Sequence, residues 1–143
     1  MRLSEDAKEK FKTNPARFIE EEIKTFAGTS PLNRMPFVKD QVIFDVPLVQ
    51  FANGDDHIFA EYKTVIASTH LGPREALAKA YGKSPQEMPA RLSVISWILP
   101  ITEKTRKSNR SQTLTPGRLW SHTRWYGEKF NDAMRKHVTE LLG

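Results

Sequence analysis

Within five positions the chain places Arg106, Ser108, Asn109 and Arg110. A guanidinium is a planar fork of donors that suits phosphate or carboxylate. The serine hydroxyl and asparagine amide add neutral donors. His122 and Arg124 follow, one to two turns into a stretch patterned as a long helix. The start of such a helix offers backbone N–H groups and a dipole favourable to an anion. An imidazole there adds a side chain able to carry a proton. These six residues read as a substrate- or anion-binding edge, and no catalytic role attaches to any of them. The competing reading is a solvated basic loop with incidental cations. Trp120, Trp125 and Tyr126 read first as core, and second as surface for stacking a flat ligand or base.

Other chemistries find little. There is no GxGxxG, Walker loop, HExxH or GxSxG pattern. His57, His70, His122 and His137 show no metal-ligand spacing. Glu20, Glu21 and Glu22 point three ways on a helix and make a poor metal site. Asp55 and Asp56 follow a glycine, where carboxylates cap a helix more often than they bind a cation. The chain has no cysteine, which removes disulfides, thiolate nucleophiles and Cys-ligated zinc or iron–sulfur clusters from it.

The elements that must position these residues follow from pattern. Ser4 to Lys12 reads as a weak first helix. Asn14-Pro15 starts a second, with Phe18, Ile19, Ile23 and Phe26 on one face and Gly28 as its stop. Residues 29–39 form a connector, and residues 41–51 are extended, with Pro47 limiting them to an edge or irregular strand. Asn53-Gly54-Asp55-Asp56 is a turn before a short helix carrying Ile58, Phe59 and Tyr62. Thr64 to Ala67 reads as a short extended piece. Gly72-Pro73 starts another helix that Gly82 stops, and Ser84-Pro85-Gln86-Glu87 is a capping box. Leu92 to Leu99 is apolar enough for the central strand of a sheet. Thr102 to Thr113 lacks an apolar period and reads as loop or frayed helix. Thr115-Pro116 then opens the long helix, with Leu119, Tyr126, Phe130, Met134, Val138 and Leu141 as its stripe.

With 143 residues, 38% hydrophobic and 27% charged, the chain suits one α/β domain, residues 1–143. Its net charge of +5 is densest from Lys104 to Arg118 and attracts anionic partners. The charged start, Met1 to Asp6, lacks the apolar core of a signal peptide. No run approaches the ~20 apolar residues that span a bilayer. The expectation is a cytoplasmic protein without a membrane partner.

Several segments together resemble the N-terminal region of epoxyqueuosine reductase-like iron–sulfur proteins. They are Ile43 to Val49, Asp55-Asp56 with Phe59, Val94 to Pro100, Arg106 to Arg110, and Trp120 to Gly127 with Phe130-Asn131. Their order and spacing extend over residues 41–143, leaving residues 1–40 as N-terminal helices and connector. The resemblance implies an oxidoreductase architecture: an α/β region followed by one carrying two [4Fe–4S] clusters. Epoxyqueuosine reductases also bind cobalamin and reduce the epoxide of a modified tRNA nucleoside. The sequence ends at Gly143 without a cysteine-rich region. The expected function is therefore a substrate- or cofactor-pocket module, itself without clusters and inactive alone, working with a cluster-bearing region or subunit. The alternatives are a basic anion- or RNA-binding module, and an interaction domain that docks a redox partner.

Overall fold

A computed structural model describes residues 4–143; the first three residues, part of the charged start, lie outside it. The elements in order are helices α1 (Glu5–Thr13) and α2 (Pro15–Thr29), a 3₁₀ turn (Pro31–Asn33), strand β1 (Leu48–Asn53), and helices α3 (Ile58–Val65) and α4 (Pro73–Tyr81). A second 3₁₀ turn (Pro85–Glu87), strand β2 (Ser93–Ile98), helix α5 (Glu103–Arg110) and helix α6 (Arg118–Leu142) complete the chain. It is a small α/β fold ending in a long helix. Residues 4–49 with 97–143 form one compact unit, and residues 50–96 form another.

In the first unit, the side chains of Ser4 and Asn14 cap α1 and α2, accepting from the N–H groups of Ala7 and Arg17. The second helix runs to Thr29 rather than stopping at Gly28, and Ser30 closes it. Its buried face is Phe18, Ile19, Ile23 and Ala27. This face meets α6, whose buried residues include Phe130, Met134, Val138 and Leu141. Ile23, Ile43, Phe130 and Met134 are each 0% exposed and mark the centre of the core. Burying each such side chain stabilises the fold by about 1.5–3 kcal/mol. Phe26 stacks on His137 with ring centroids 4.3 Å apart.

Buried Asn33 joins the end of α2 to the segment before β1. Its Nδ2 donates to the carbonyls of Ala27 (2.9 Å) and Phe44 (3.1 Å), and its Oδ1 accepts from the Phe44 N–H (3.0 Å).

Among the described residues the sheet has two strands, so β2 pairs only with β1 and is not the central strand its sequence suggests. The pairing is antiparallel and continues as the Phe44–Ile101 bridge. The apolar run suggested burial on both faces; instead Val94, Ile95 and Trp97 are half-buried and Ile98 is 62% exposed. Pro47 stays just outside β1, as its missing N–H requires.

The second unit carries α3 and α4. Residues 64–67 are not extended: Thr64 and Val65 finish α3 and a turn follows. Tyr62 drives this, because its carbonyl accepts from the N–H groups of both Ile66 and Ala67. Gly82 ends α4 with φ of +63°, a conformation that a Cβ would strain. In the Ser84–Glu87 box the Glu87 carboxylate accepts from the Ser84 N–H (2.8 Å) and also from the Ser84 hydroxyl (2.9 Å), while the Glu87 N–H donates to the Ser84 carbonyl. Asp56 Oδ1 accepts from the Ile58 N–H at the start of α3, while Asp55 pairs with Arg74 at 2.7 Å. Ala78 is the one buried hydrophobic residue among residues 50–96, where Val65 is 79% exposed and Tyr81 69%. No helix among the described residues is long and apolar enough to cross a membrane.

Candidate functional site

The basic segment at residues 106–110, read as loop or frayed helix, is helical. A short polar helix has no apolar stripe to read; what holds α5 is its cap. The Thr102 hydroxyl accepts from the Thr105 N–H and donates to the Thr105 hydroxyl (3.0 Å), while Gln41 Nε2 donates to it from 3.2 Å. Thr102 and Thr105 are buried. On the outer face Glu103 gathers the cations. Arg106 Nε lies 2.9 Å from its Oε2 and Arg110 Nη2 3.0 Å from its Oε1. The hydrogen bond from Arg106 is the main cause holding the Glu103 carboxyl below its ordinary pKa. Arg106 also donates to the Ile101 carbonyl at 2.7 Å.

Asn109 faces the start of α6, where its Oδ1 accepts from the Gly117 N–H at 2.8 Å. The long helix begins there rather than at Thr115-Pro116. A Cβ on Gly117 would stand 3.1 Å from both the Ser108 carbonyl oxygen and Asn109 Cα, so α5 itself approaches where a cap side chain would sit. His122 accepts a long hydrogen bond from Arg118 (3.4 Å) and lies 5.9 Å from the rings of both Phe37 and Tyr126. Lys129 Nζ sits 5.3 Å from the Trp125 ring and 5.7 Å from Tyr126. Phe37 is 67% and Trp125 65% exposed, so this is an aromatic and cationic surface. Arg124 is two residues from His122, about 200° round the helix, and faces elsewhere. The six residues read from sequence are thus spread over three places: the Glu103 cluster with the α5–α6 junction, the aromatic face, and a cleft.

That cleft, about 250 Å³, lies between α6 and the chain on either side of the Phe44–Ile101 bridge. Phe44, Trp97, Leu99 and Ile101 form its apolar wall; Thr123, Arg124, Gly127, Glu128 and Asn131 form the α6 wall. Gly127 makes the approach possible, because a Cβ there would stand 2.7 Å from Phe44 Cζ. Trp97 Nε1 donates to Asn131 Oδ1 at 3.2 Å and holds the indole in place. Thr123 is 3% exposed and its buried hydroxyl has no hydrogen-bond partner among the described residues. Arg124 likewise has no ion pair or hydrogen bond among them. Glu128 is reached by Arg135 only at 4.0 Å. Aromatic faces, one free guanidinium, one carboxylate and an orphaned hydroxyl suit recognition of a small ligand. With no base beside it, the hydroxyl is not set up as a nucleophile.

A larger depression of about 440 Å³ lies between α1 and α2. Four of its five charged groups are paired, Lys10 with Asp6 and Arg17 with Glu21; Glu9 is the fifth. Among the described residues no group of three or more His, Asp or Glu side chains is placed to hold a metal ion.

Of the cleft residues, sequence reading singled out Arg124 for binding. Gly127 was the available signal: glycine costs about 1 kcal/mol in a helix interior, and its presence there marks a close approach. Comparison with known proteins returns no match from any family model, curated protein or solved structure.

Proposed function

We propose that this chain is a substrate- or cofactor-pocket module of an oxidoreductase, of the kind implied by its likeness to the N-terminal region of epoxyqueuosine reductase-like iron–sulfur proteins. The observation that carries this reading is the cleft itself, where the unpaired Arg124 guanidinium stands with the aromatic side chains of Phe44 and Trp97. The segments behind the resemblance supply Phe44, Trp97 and Leu99 on one wall and Thr123, Arg124, Gly127 and Asn131 on the other.

Iron–sulfur clusters do not fit this chain, which has no cysteine to hold them. Electron delivery belongs to a cluster-bearing region or subunit. A corrinoid does not fit inside the cleft either. At about 250 Å³ it is smaller than the ~300–1,000 Å³ of sites for drug-sized ligands, and a corrin is larger than those. The test is a fragment screen read by ¹H–¹⁵N spectra of the labelled protein. Saturable shifts should centre on the Trp97 Nε1–H and on the amides of residues 123–131. A screen whose hits all map elsewhere, or that yields none, rejects the pocket.

The exposed aromatic and cationic face favours a second reading, a module that binds an anionic polymer such as RNA. It would use Phe37, His122, Trp125 and Lys129 rather than Arg106 and Arg110, which are engaged with Glu103. Binding should weaken steeply with salt. RNA affinity unchanged by Lys129→Ala and Trp125→Ala together would discard it.

A further inference from the structure

We infer that the cleft takes a flat heteroaromatic acid of one or two fused rings, carrying a single carboxylate and a ring N–H. This rests on reading the cleft as a ligand pocket and adds the ligand's chemistry.

Size sets the first limit. A cleft of about 250 Å³ lies just below the range that encloses drug-sized ligands, so it suits one or two rings. Shape sets the second. Phe44 and Trp97 present aromatic surface, and Trp97 is fixed by its bond to Asn131, so a planar ring system finds a preformed wall.

Charge sets the third. The unpaired fork of Arg124 calls for an anionic group. Glu128 lies one turn further along the same wall. One cation and one carboxylate sum to no net charge, which disfavours a phosphate dianion or polyphosphate and leaves a monocarboxylate as the best-matched anion. The Glu128 carboxylate accepts hydrogen bonds only, so it calls for an N–H at the opposite end of the ligand. Thr123 lies on the same wall with its hydroxyl closed off from the surface. An acid end on Arg124, a ring along Trp97 and Phe44, and an N–H toward Glu128 engage the charged and aromatic groups of the cleft.

Indole-3-carboxylate is the probe, with indole, benzoate and phenyl phosphate as comparisons, titrated into the intact chain and followed by ¹H–¹⁵N spectra. The expected result is a saturable shift of the Trp97 Nε1–H and Thr123 amide, strongest for indole-3-carboxylate. Arg124→Gln should weaken binding roughly tenfold or more, as expected for loss of a charge-assisted bond. Glu128→Gln should weaken it several-fold while leaving the rest of the spectrum unchanged. Equal binding of indole, stronger binding of phenyl phosphate, or indifference to Arg124→Gln overturns the carboxylate assignment. Entry of other fragments but not of heteroaromatic acids overturns the ligand class and leaves the pocket standing. Entry of no fragment at all overturns both.

Discussion

The backbone N–H of Gly117 donates to the side-chain Oδ1 of Asn109, so the last turn of α5 caps the first turn of α6. An asparagine eight residues upstream satisfies the N–H of the cap residue itself, as the third-position glutamate of a capping box does. Asn109→Ala should cost about 0.5–1.5 kcal/mol, the range for one hydrogen bond. Gly117→Ala should destabilise too, because its Cβ would meet backbone atoms of Ser108 and Asn109 rather than a side chain that can move aside. Urea unfolding of both single variants and the double variant measures the coupling. Strictly additive losses would show that the two residues do not act on one junction.

Gly127→Ala should destabilise by about 1–3 kcal/mol, as overpacking does, because its methyl group collides with the Phe44 ring. Phe44→Leu shortens the obstructing side chain. In the double variant the loss should therefore fall short of the sum of the singles. Denaturant midpoints for the four proteins decide the matter; a loss equal to or greater than the sum argues that Phe44 is not the obstacle.

Phe130 is 0% exposed and packs beside Phe26 and Phe44, with centroids 6.0 and 5.9 Å away. Phe130→Ala should cost about 3–5 kcal/mol. Trp125→Ala on the same helix, 65% exposed, should fall within about 0.5 kcal/mol of the parent, as surface changes do. Equal losses in thermal or urea unfolding would contradict the assigned faces of α6.

Thr123→Val should raise stability by about 1 kcal/mol or more, since it replaces an unpaired buried hydroxyl with a methyl group of similar shape. If the variant is less stable than the parent, the hydroxyl is already satisfied in the free protein.

Residues 50–96 should be acid-sensitive. Asp55, Glu75 and Glu87 all have pKa values lowered in the folded chain, chiefly by hydrogen bonds from Arg74, Lys63 and the Ser84 N–H respectively. A lowered folded pKa gives stability that is present above the unfolded value, about 4, and is lost as pH falls through the folded value. Amide exchange in this unit should therefore quicken as pH drops below about 4, after correction for intrinsic rates. Asp55→Asn should flatten part of that response. A pH profile identical to the parent would exclude the Asp55–Arg74 pair as a contributor.

Much of the helical content was legible because local chemistry and tertiary packing agree. Asn14-Pro15, Gly72-Pro73 with Gly82, and the Ser84–Glu87 box each close their own hydrogen bonds within a few residues. The second half of α6 was legible for a related reason: Phe130, Met134 and Val138 repeat at helical spacing and are buried. Its first half misled, since Leu119 and Tyr126 are only half-buried while Thr123 and Gly127 face inward. Helix α5 was left open between loop and frayed helix because its polar sequence hides a cap completed by Gln41, sixty-one residues away from Thr102. The apolar run of β2 signalled extension but could not give the number of neighbouring strands. The cleft escaped for the same reason as α5. Its unmet hydroxyl is an ordinary threonine until Phe44 and Trp97 arrive from distant parts of the chain.

The three hydrogen bonds of Asn33 reach the cleft without lining it. They hold both backbone polar groups of Phe44, whose ring forms part of the apolar wall and fills the space opposite Gly127. The width of the opening is therefore governed from the far side of Phe44, by an amide tied to the end of α2. A carboxylate at position 33 would keep the acceptor and lose both donors. The cleft can thus be reshaped from a position that does not line it.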